Sequence, residues 1–125
     1  MISGIGIDII EVGRIEKLMG RTDDRFLRRL FTDREIAYCS QKRFKALHFA
    51  ARFAAKEACL KAMGTGLSSG IAWKDVEILN DESGKPSVRL QGRARVLAEE
   101  RGYGAVHVSL THVKDIAAAV VVVEK

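Results

Sequence analysis

Two acidic residues stand in segments that otherwise read as buried, and they are the strongest candidates for chemistry. Asp8 lies inside an apolar, strand-like segment, where an unpaired carboxylate would cost several kcal/mol. Asp8 must therefore be paired, cap the helix that follows, or hold a metal, and Gly6 on the same face leaves room for a ligand. Glu57 lies on the apolar stripe of a long helix, with Lys61 one turn later as a candidate ion-pair partner.

The chemistry that these groups support is that of phosphates held by a hard metal ion. Carboxylates without a neighbouring histidine or cysteine form an oxygen-only site, which favours Mg²⁺, with Mn²⁺ as the alternative. A nearby lysine binds phosphate as a point charge, so Asp8, Glu57 and Lys61 together indicate diphosphate chemistry. The glycine- and serine-rich loop that follows Gly64 lacks the ending of a P-loop. It reads first as a helix cap with a flexible connection, and second as a phosphate-binding loop.

The elements that must position these residues follow from hydrophobic periodicity. The predicted elements are, in order, a strand Ile2–Ile10, a helix from Glu11, a short helix capped by Asp23 or Asp24, a helix opened by a Thr32–Glu35 capping box, a long helix from Ala46 to Met63, a hairpin of Val76–Leu79 and Val88–Leu90, a short helix Ala94–Glu100, and strands Ala105–Thr111 and Ile116–Val123. Helices cluster early and antiparallel strands late. This order indicates one α+β domain over residues 1–125, with a long central helix and a small antiparallel sheet.

The composition excludes several classes of protein. The 125 residues are 47% hydrophobic and 30% charged, which is the balance of one ordinary globular domain. The longest apolar run, Ile116–Val123, is far shorter than the roughly 20 residues of a membrane helix, and the first residues lack the basic region of a signal peptide. Cys39 and Cys59 are too few for a disulfide framework and are expected to be buried free thiols. We therefore expect a cytoplasmic protein.

The net charge of +5 is concentrated in the first quarter of the chain. Arg14, Lys17 and Arg21 share an exposed helical face, and Arg25 and Arg28 follow closely. Such a surface favours an acidic partner, and charge alone does not distinguish a nucleic acid from an acidic protein. A basic nucleic-acid-binding module without catalysis is therefore the alternative from another class. It leaves the two buried carboxylates unexplained and lacks exposed aromatic residues for stacking on bases.

Three sequence blocks, in this order, resemble the motifs of the 4′-phosphopantetheinyl transferases. Gly4–Glu11 (GIGIDIIE) is similar to their opening motif, and Phe53–Lys61 (FAAKEACLK) to their second motif. Ser109–His112 (SLTH), followed by KDIAAA, resembles their last motif and final strand, with a threonine where many relatives have serine. The chain length and the loop after Gly64 match the small class, the holo-acyl-carrier-protein synthases. The resemblance spans essentially the whole chain.

The resemblance implies transfer of 4′-phosphopantetheine from coenzyme A to a serine of an apo-acyl carrier protein, in support of fatty acid biosynthesis. The serine attacks the β-phosphorus and expels 3′,5′-ADP, and its proton passes to Glu57 or to a water oriented by Asp8 or Glu57. By the same resemblance, Asp8 and Glu57 bind the metal and Lys61 contacts the diphosphate. The other implied contacts with coenzyme A are Arg52, Gly64, Ser109 and His112.

The resemblance also implies a homotrimer with its sites between subunits, each joining the carboxylates of one subunit to residues of a neighbour. It further implies that the basic first-helix face binds the acidic helix of the carrier protein, through Arg14, Arg21, Arg25 and Arg28. We expect neither nucleic acid nor membrane as a partner. A magnesium-dependent hydrolase of coenzyme A, with water as the acceptor, is the alternative within enzymes.

Overall fold

The structure is a computed structural model that describes residues 1–21 and 25–125, without the side chain of Arg21. The elements of these residues are β1 (Ile2–Glu11), α1 (Val12–Arg21), α2 (Arg25–Leu30), α3 (Asp33–Ser40), α4 (Lys45–Met63), a 3₁₀ helix (Trp73–Asp75), β2 (Val76–Asn80), β3 (Pro86–Leu90), α5 (Gly92–Glu100), β4 (Ala105–His112) and β5 (Ile116–Glu124). The predicted α+β class and long central helix are confirmed. The predicted cap at Asp23 or Asp24 lies outside the described residues.

The strands divide between two antiparallel sheets. β5 lies in the centre of a three-stranded sheet, with β1 on one side and β4 on the other, while β2 and β3 form the predicted hairpin. In the larger sheet, Asp8 is opposite Ala119 on β5, and Leu110 on β4 is opposite the same alanine. The chain segments of the first and last motifs therefore lie in one sheet, separated by β5.

Helix α4 packs against β1 at very short range because the facing residues are small. A β-carbon at Gly4 would lie 1.9 Å from the carbonyl oxygen of Ala62, and one at Gly6 would lie 1.9 Å from that of Ala58. Only glycine fits at these two positions of the strand. The expectation that Gly6 leaves room for a ligand is therefore wrong, since helix α4 fills that space.

Local sequence signals set the ends of the helices. Thr32 and Glu35 form the predicted capping box at the start of α3, with each side chain bonded to the other residue's main-chain nitrogen. Gly64 ends α4 in the left-handed conformation with φ of 73°, as its position after Met63 predicts. The first residue of α4 lies one position before the predicted one. No helix in the described ranges has the length and apolarity needed to cross a membrane.

The outer face of the three-stranded sheet is apolar and open to solvent in the single chain. Because the glycine face of β1 packs on α4, Ile5, Ile7 and Ile9 point away from the core, and Ile7 is 67% exposed. Val120 and Val122 of β5 lie opposite Ile7 and Ile5 on this same face and are partly exposed. A row of exposed isoleucines beside valines is typical of a surface that a partner covers.

Candidate active site

The two candidate carboxylates meet where β1 crosses α4. Asp8 projects from the strand face that packs on the helix, and Glu57 projects from the helix one turn before Lys61. The ammonium group of Lys61 lies 3.0 Å from Oδ1 of Asp8 and 3.0 Å from the carbonyl oxygen of Ile7. Asp8 is therefore paired in the structure, and Lys61 is its basic partner.

The electrostatics of this carboxylate pair, Asp8 and Glu57, suit a bound cation. Burial of Glu57 raises its pKa, and the adjacent charge of Asp8 and a hydrogen bond with it raise it further. Lys61 and Arg14 act in the opposite direction without cancelling these effects. A divalent cation between the two groups would relieve their repulsion, so the residues fit Mg²⁺ or Mn²⁺. In the described part of the chain, no group of three or more acidic, histidine or cysteine side chains is arranged to hold a metal.

The loop after α4 lies beside the carboxylate pair. The N–H of Gly64 bonds the carbonyl oxygens of the last helical turn, and the N–H of Thr65 donates to the carbonyl of Leu60. Gly66, also with positive φ, brings the loop back so that it borders a small cavity with Glu57 and Lys61. The helix-cap interpretation of Gly64 is thus confirmed, and contact of Gly64 with coenzyme A stays a prediction.

The other predicted coenzyme contacts line a separate cavity of about 460 Å³. Arg52, Ser109 and His112 all border this basic cavity, which we define by these three residues together with His48 and Lys85. Its lining shares no residue with that of the small cavity beside Glu57. Within one chain, the structure therefore brings Asp8, Glu57 and Lys61 together and leaves Arg52, Ser109 and His112 as a second group.

Arg52 is fixed deep in the wall of the basic cavity. Its guanidinium donates to the carbonyl oxygen of His48 at 3.2 Å and to the side-chain oxygen of Asn80, and it stacks 4.3 Å from the ring centre of Tyr38. Among the residues that the structure describes, the Nε of Arg52 is buried and has no hydrogen-bond partner. Burial and the charge of Arg52 lower the pKa of His48, which favours its neutral form.

The arginines of the predicted carrier-binding face are largely at the surface. Arg14 on α1 and Arg25 and Arg28 on α2 are exposed. Arg21 is the last residue of α1, and its side chain lies outside the described part of the structure. The exposure agrees with a binding surface and does not by itself identify what binds.

Sequence reasoning missed the buried ionic cluster next to the site. Lys56 is fully buried, and its ammonium group lies 2.8 Å from Oε1 of Glu35 and donates to the carbonyl oxygens of Trp73 and Val76. Glu35 also accepts from the N–H of Ile78 at 3.0 Å. The signal in the sequence was weak, because Phe53, Cys59 and Leu60 flank Lys56 on its helix face while Arg52 lies there too, one turn earlier.

Comparison with known proteins identifies the family of this chain. The sequence profile of the 4′-phosphopantetheinyl transferase superfamily matches residues 4–121. A holo-[acyl-carrier-protein] synthase of Geobacter sp. (strain M21) is 50% identical over 125 residues, which cover 100% of both chains. The crystal structure of the synthase from Neisseria meningitidis has a TM-score of 0.92 at 35% identity, over 100% of both chains. That of the Helicobacter pylori synthase in complex with coenzyme A has a TM-score of 0.85 at 32% identity, over 96% of this chain and 99% of the other. The chain therefore belongs to the 4′-phosphopantetheinyl transferase superfamily, within its holo-[acyl-carrier-protein] synthases.

Proposed function

We propose that the protein transfers 4′-phosphopantetheine from coenzyme A to a serine of an apo-acyl carrier protein, giving the holo form and 3′,5′-ADP. The observation that carries this proposal is the convergence of Asp8, Glu57 and Lys61 at the crossing of β1 and α4. The names of the similar synthases, and the coenzyme A bound to the one from Helicobacter pylori, support the same reaction.

In this reaction the protein positions the carrier serine and the diphosphate of coenzyme A, and it neutralises the charge of the phosphates. The serine oxygen forms a bond to the β-phosphorus as the bond from that phosphorus to the oxygen of 3′,5′-ADP breaks. Asp8 and Glu57 would hold Mg²⁺, or Mn²⁺, which offsets phosphate charge when bound. Lys61, already within hydrogen-bond distance of Asp8, can turn its ammonium group to a diphosphate oxygen and offset charge on the leaving side. The serine proton passes to Glu57 or to a water that the carboxylates orient.

We also propose a homotrimer with its active sites between subunits. The carboxylate pair and the basic cavity are separate in one chain, and the outer sheet face leaves Ile5, Ile7 and Ile9 exposed. Covering that face with neighbouring subunits would bury the isoleucines and could bring His112 of one subunit to the carboxylates of another. Arg52, Ser109 and His112, in a cavity that also contains Lys85, would then hold the nucleotide end of coenzyme A, with Arg52 towards its 3′-phosphate.

A mixed-subunit experiment tests the shared site. Glu57→Gln and His112→Ala each remove a group from a different half of the proposed site, so each variant alone should lose most activity. Co-expressed with different affinity tags and purified as mixed trimers, the two variants should regain part of the wild-type rate, because some sites then combine two intact halves. Mixed trimers without activity would contradict the division of the site between subunits.

The carrier protein is proposed to bind at the arginines of α1 and α2. Arg14, Arg25 and Arg28 are exposed there, and Arg21 is the helix residue between them in sequence. Acidic side chains of a carrier helix would be attracted to this surface over long range, with the attraction screened by salt.

The experiment for the reaction is mass spectrometry of an apo-acyl carrier protein incubated with this protein, coenzyme A and Mg²⁺. The carrier should gain one phosphopantetheine on its serine, and the gain should disappear with EDTA or in Glu57→Gln. The matched control is Glu82→Gln, which neutralises an exposed carboxylate of the β2–β3 turn and should leave the rate unchanged. No mass gain with several carriers would contradict the proposal, and free phosphopantetheine without a carrier would indicate the hydrolase instead.

The proposed function extends to the domain, the cell compartment and the biosynthetic role of the protein. We propose that residues 1–125 form one transferase domain, which acts in the cytoplasm and supports fatty acid biosynthesis. Cys39 and Cys59 are both free and buried, as expected for a reducing compartment.

A further inference from the structure

A small cavity next to the carboxylate pair combines charged and apolar walls. Its volume is about 290 Å³, and it is lined by Glu57, Leu60, Lys61, Gly66, Leu67 and Trp73. The charged residues come from α4, and the apolar walls come from α4, the loop after it and the 3₁₀ helix. Such a cavity fits a ligand that carries a phosphate at one end and a compact alkyl group directly beside it.

The apolar wall at Trp73 is held in place by its surroundings. The indole ring packs against Phe53 of α4 with ring centres 5.0 Å apart. The ammonium group of Lys56 donates to the carbonyl oxygen of Trp73 at 3.1 Å, and the ion pair with Glu35 fixes that lysine in turn. The position of Trp73 relative to α4 is therefore set before any ligand binds, which lowers the cost of binding.

The loop after α4 contributes a leucine to the cavity lining that is also exposed to the solvent. Leu67 is 44% exposed although it borders the cavity, and it follows Gly66, whose φ of 54° turns the chain. Leu60 also lines the cavity and is almost fully buried. An apolar group in the cavity would cover Leu67 and remove exposed apolar surface from water.

We propose that this cavity binds the dimethyl-substituted carbon of the pantetheine arm of coenzyme A, with Leu67 and Trp73 as its specificity-determining residues. In coenzyme A the carbon that bears two methyl groups is attached to the CH₂ group esterified to the transferred phosphate. A phosphate beside Glu57 and Lys61 therefore places the two methyl groups next to the apolar walls. This inference rests on the proposed function, because it takes coenzyme A as the donor.

The recognition distinguishes coenzyme A from phosphate esters that have an unbranched carbon at this position. Burial of the two methyl groups corresponds to about tenfold in affinity. The nucleotide half of the coenzyme binds at the basic cavity, so its contribution to affinity should not change when the small cavity is altered. The contribution of Leu67 can therefore be separated from that of the nucleotide by using ligands with and without the arm.

The test is a calorimetric binding cycle with Mg²⁺ present. Wild type and Leu67→Ala are each titrated with coenzyme A, with an analogue in which both methyl groups are replaced by hydrogen, and with 3′,5′-ADP. We expect Leu67→Ala and the loss of the methyl groups each to weaken binding by roughly three- to tenfold, and the two changes together to weaken it no more than either alone. The affinity for 3′,5′-ADP should be the same in both proteins.

Two outcomes would overturn the inference: full affinity of Leu67→Ala for coenzyme A, or effects of the substitution and of the methyl groups that multiply as independent changes do. Val96→Ala is the matched control, because it also shortens a partly exposed apolar residue, 42% exposed on α5, away from the cavity. These outcomes are distinct from failure of the proposed function, which would appear as a wild-type protein that does not modify any carrier protein.

Discussion

Ile7→Ala should dissociate the proposed trimer, because Ile7 is at the centre of the exposed sheet face. Full burial of an isoleucine side chain stabilises by about 1.5–3 kcal/mol. Ile7 is 67% exposed in the single chain, so covering it would contribute about two thirds of that value, or roughly 1–2 kcal/mol per subunit. The substitution occurs three times in a trimer. The expected loss is thus about 3–6 kcal/mol, or about 10²–10⁴-fold in the dissociation constant of the trimer.

Sedimentation velocity over a range of protein concentrations measures this effect. Wild type should sediment as a trimer, and Ile7→Ala should shift to smaller species at concentrations where wild type remains assembled. Because the site is proposed to be shared, the rate per subunit should fall with the fraction of trimer. Val96→Ala, with an exposed apolar residue on α5, should change neither quantity. A monomeric wild type, or a variant that sediments as wild type does at every concentration, would refute the assignment of this face.

Three further predictions follow from other parts of the structure. Lys56→Met leaves the buried Glu35 without its counter-charge, so the free energy of unfolding, measured by chemical denaturation, should fall by about 3–5 kcal/mol. Adding Glu35→Gln to the same chain should restore part of this loss. A loss below about 1 kcal/mol would contradict the burial of the ion pair. Burial raises the pKa of the Cys39 and Cys59 thiols to about 12, so iodoacetamide at pH 8 should label them only after denaturation, and rapid labelling of the native protein would contradict the packing. Arg14→Glu should lower the association rate constant with the carrier protein on the order of tenfold at low salt, and should make that rate constant less dependent on salt, as measured by stopped flow. An unchanged rate constant would show that α1 is not part of the binding surface.

The residues of the carboxylate pair could be predicted from the sequence because each breaks a local pattern. Asp8 is a carboxylate inside an otherwise apolar strand and Glu57 lies on a helical apolar stripe, and the structure places both beside Lys61. The helix ends were also predictable, since the capping box at Thr32 and the glycine at position 64 act within one helical turn. Signals of this kind need no information about residues far away in the chain.

Lys56 could not be predicted in the same way because its partners are distant in sequence. Glu35 belongs to α3, and the carbonyl groups that accept from Lys56 belong to Trp73 and Val76. Glu57, the acidic residue next to Lys56 on α4, points about 100° away around the helix, so the local pattern favours a lysine that reaches the solvent. The buried position follows only when α3, α4 and the start of β2 are packed together.

The orientation of β1 links the chemistry of the site to assembly. A rule based on hydrophobicity alone would bury Ile5, Ile7 and Ile9, but the glycine face lies inward because only glycine allows α4 to approach so closely. That approach brings Lys61, and Glu57 with it, to Asp8. A larger residue at Gly4 or Gly6 would push the helix outward and separate these groups. This orientation of β1 leaves a row of isoleucines exposed to water, and a partner surface that covers them would remove that exposure. The proposed metal-binding edge and the proposed subunit interface are therefore two consequences of the same strand, which would explain why this chain completes its site with a neighbour.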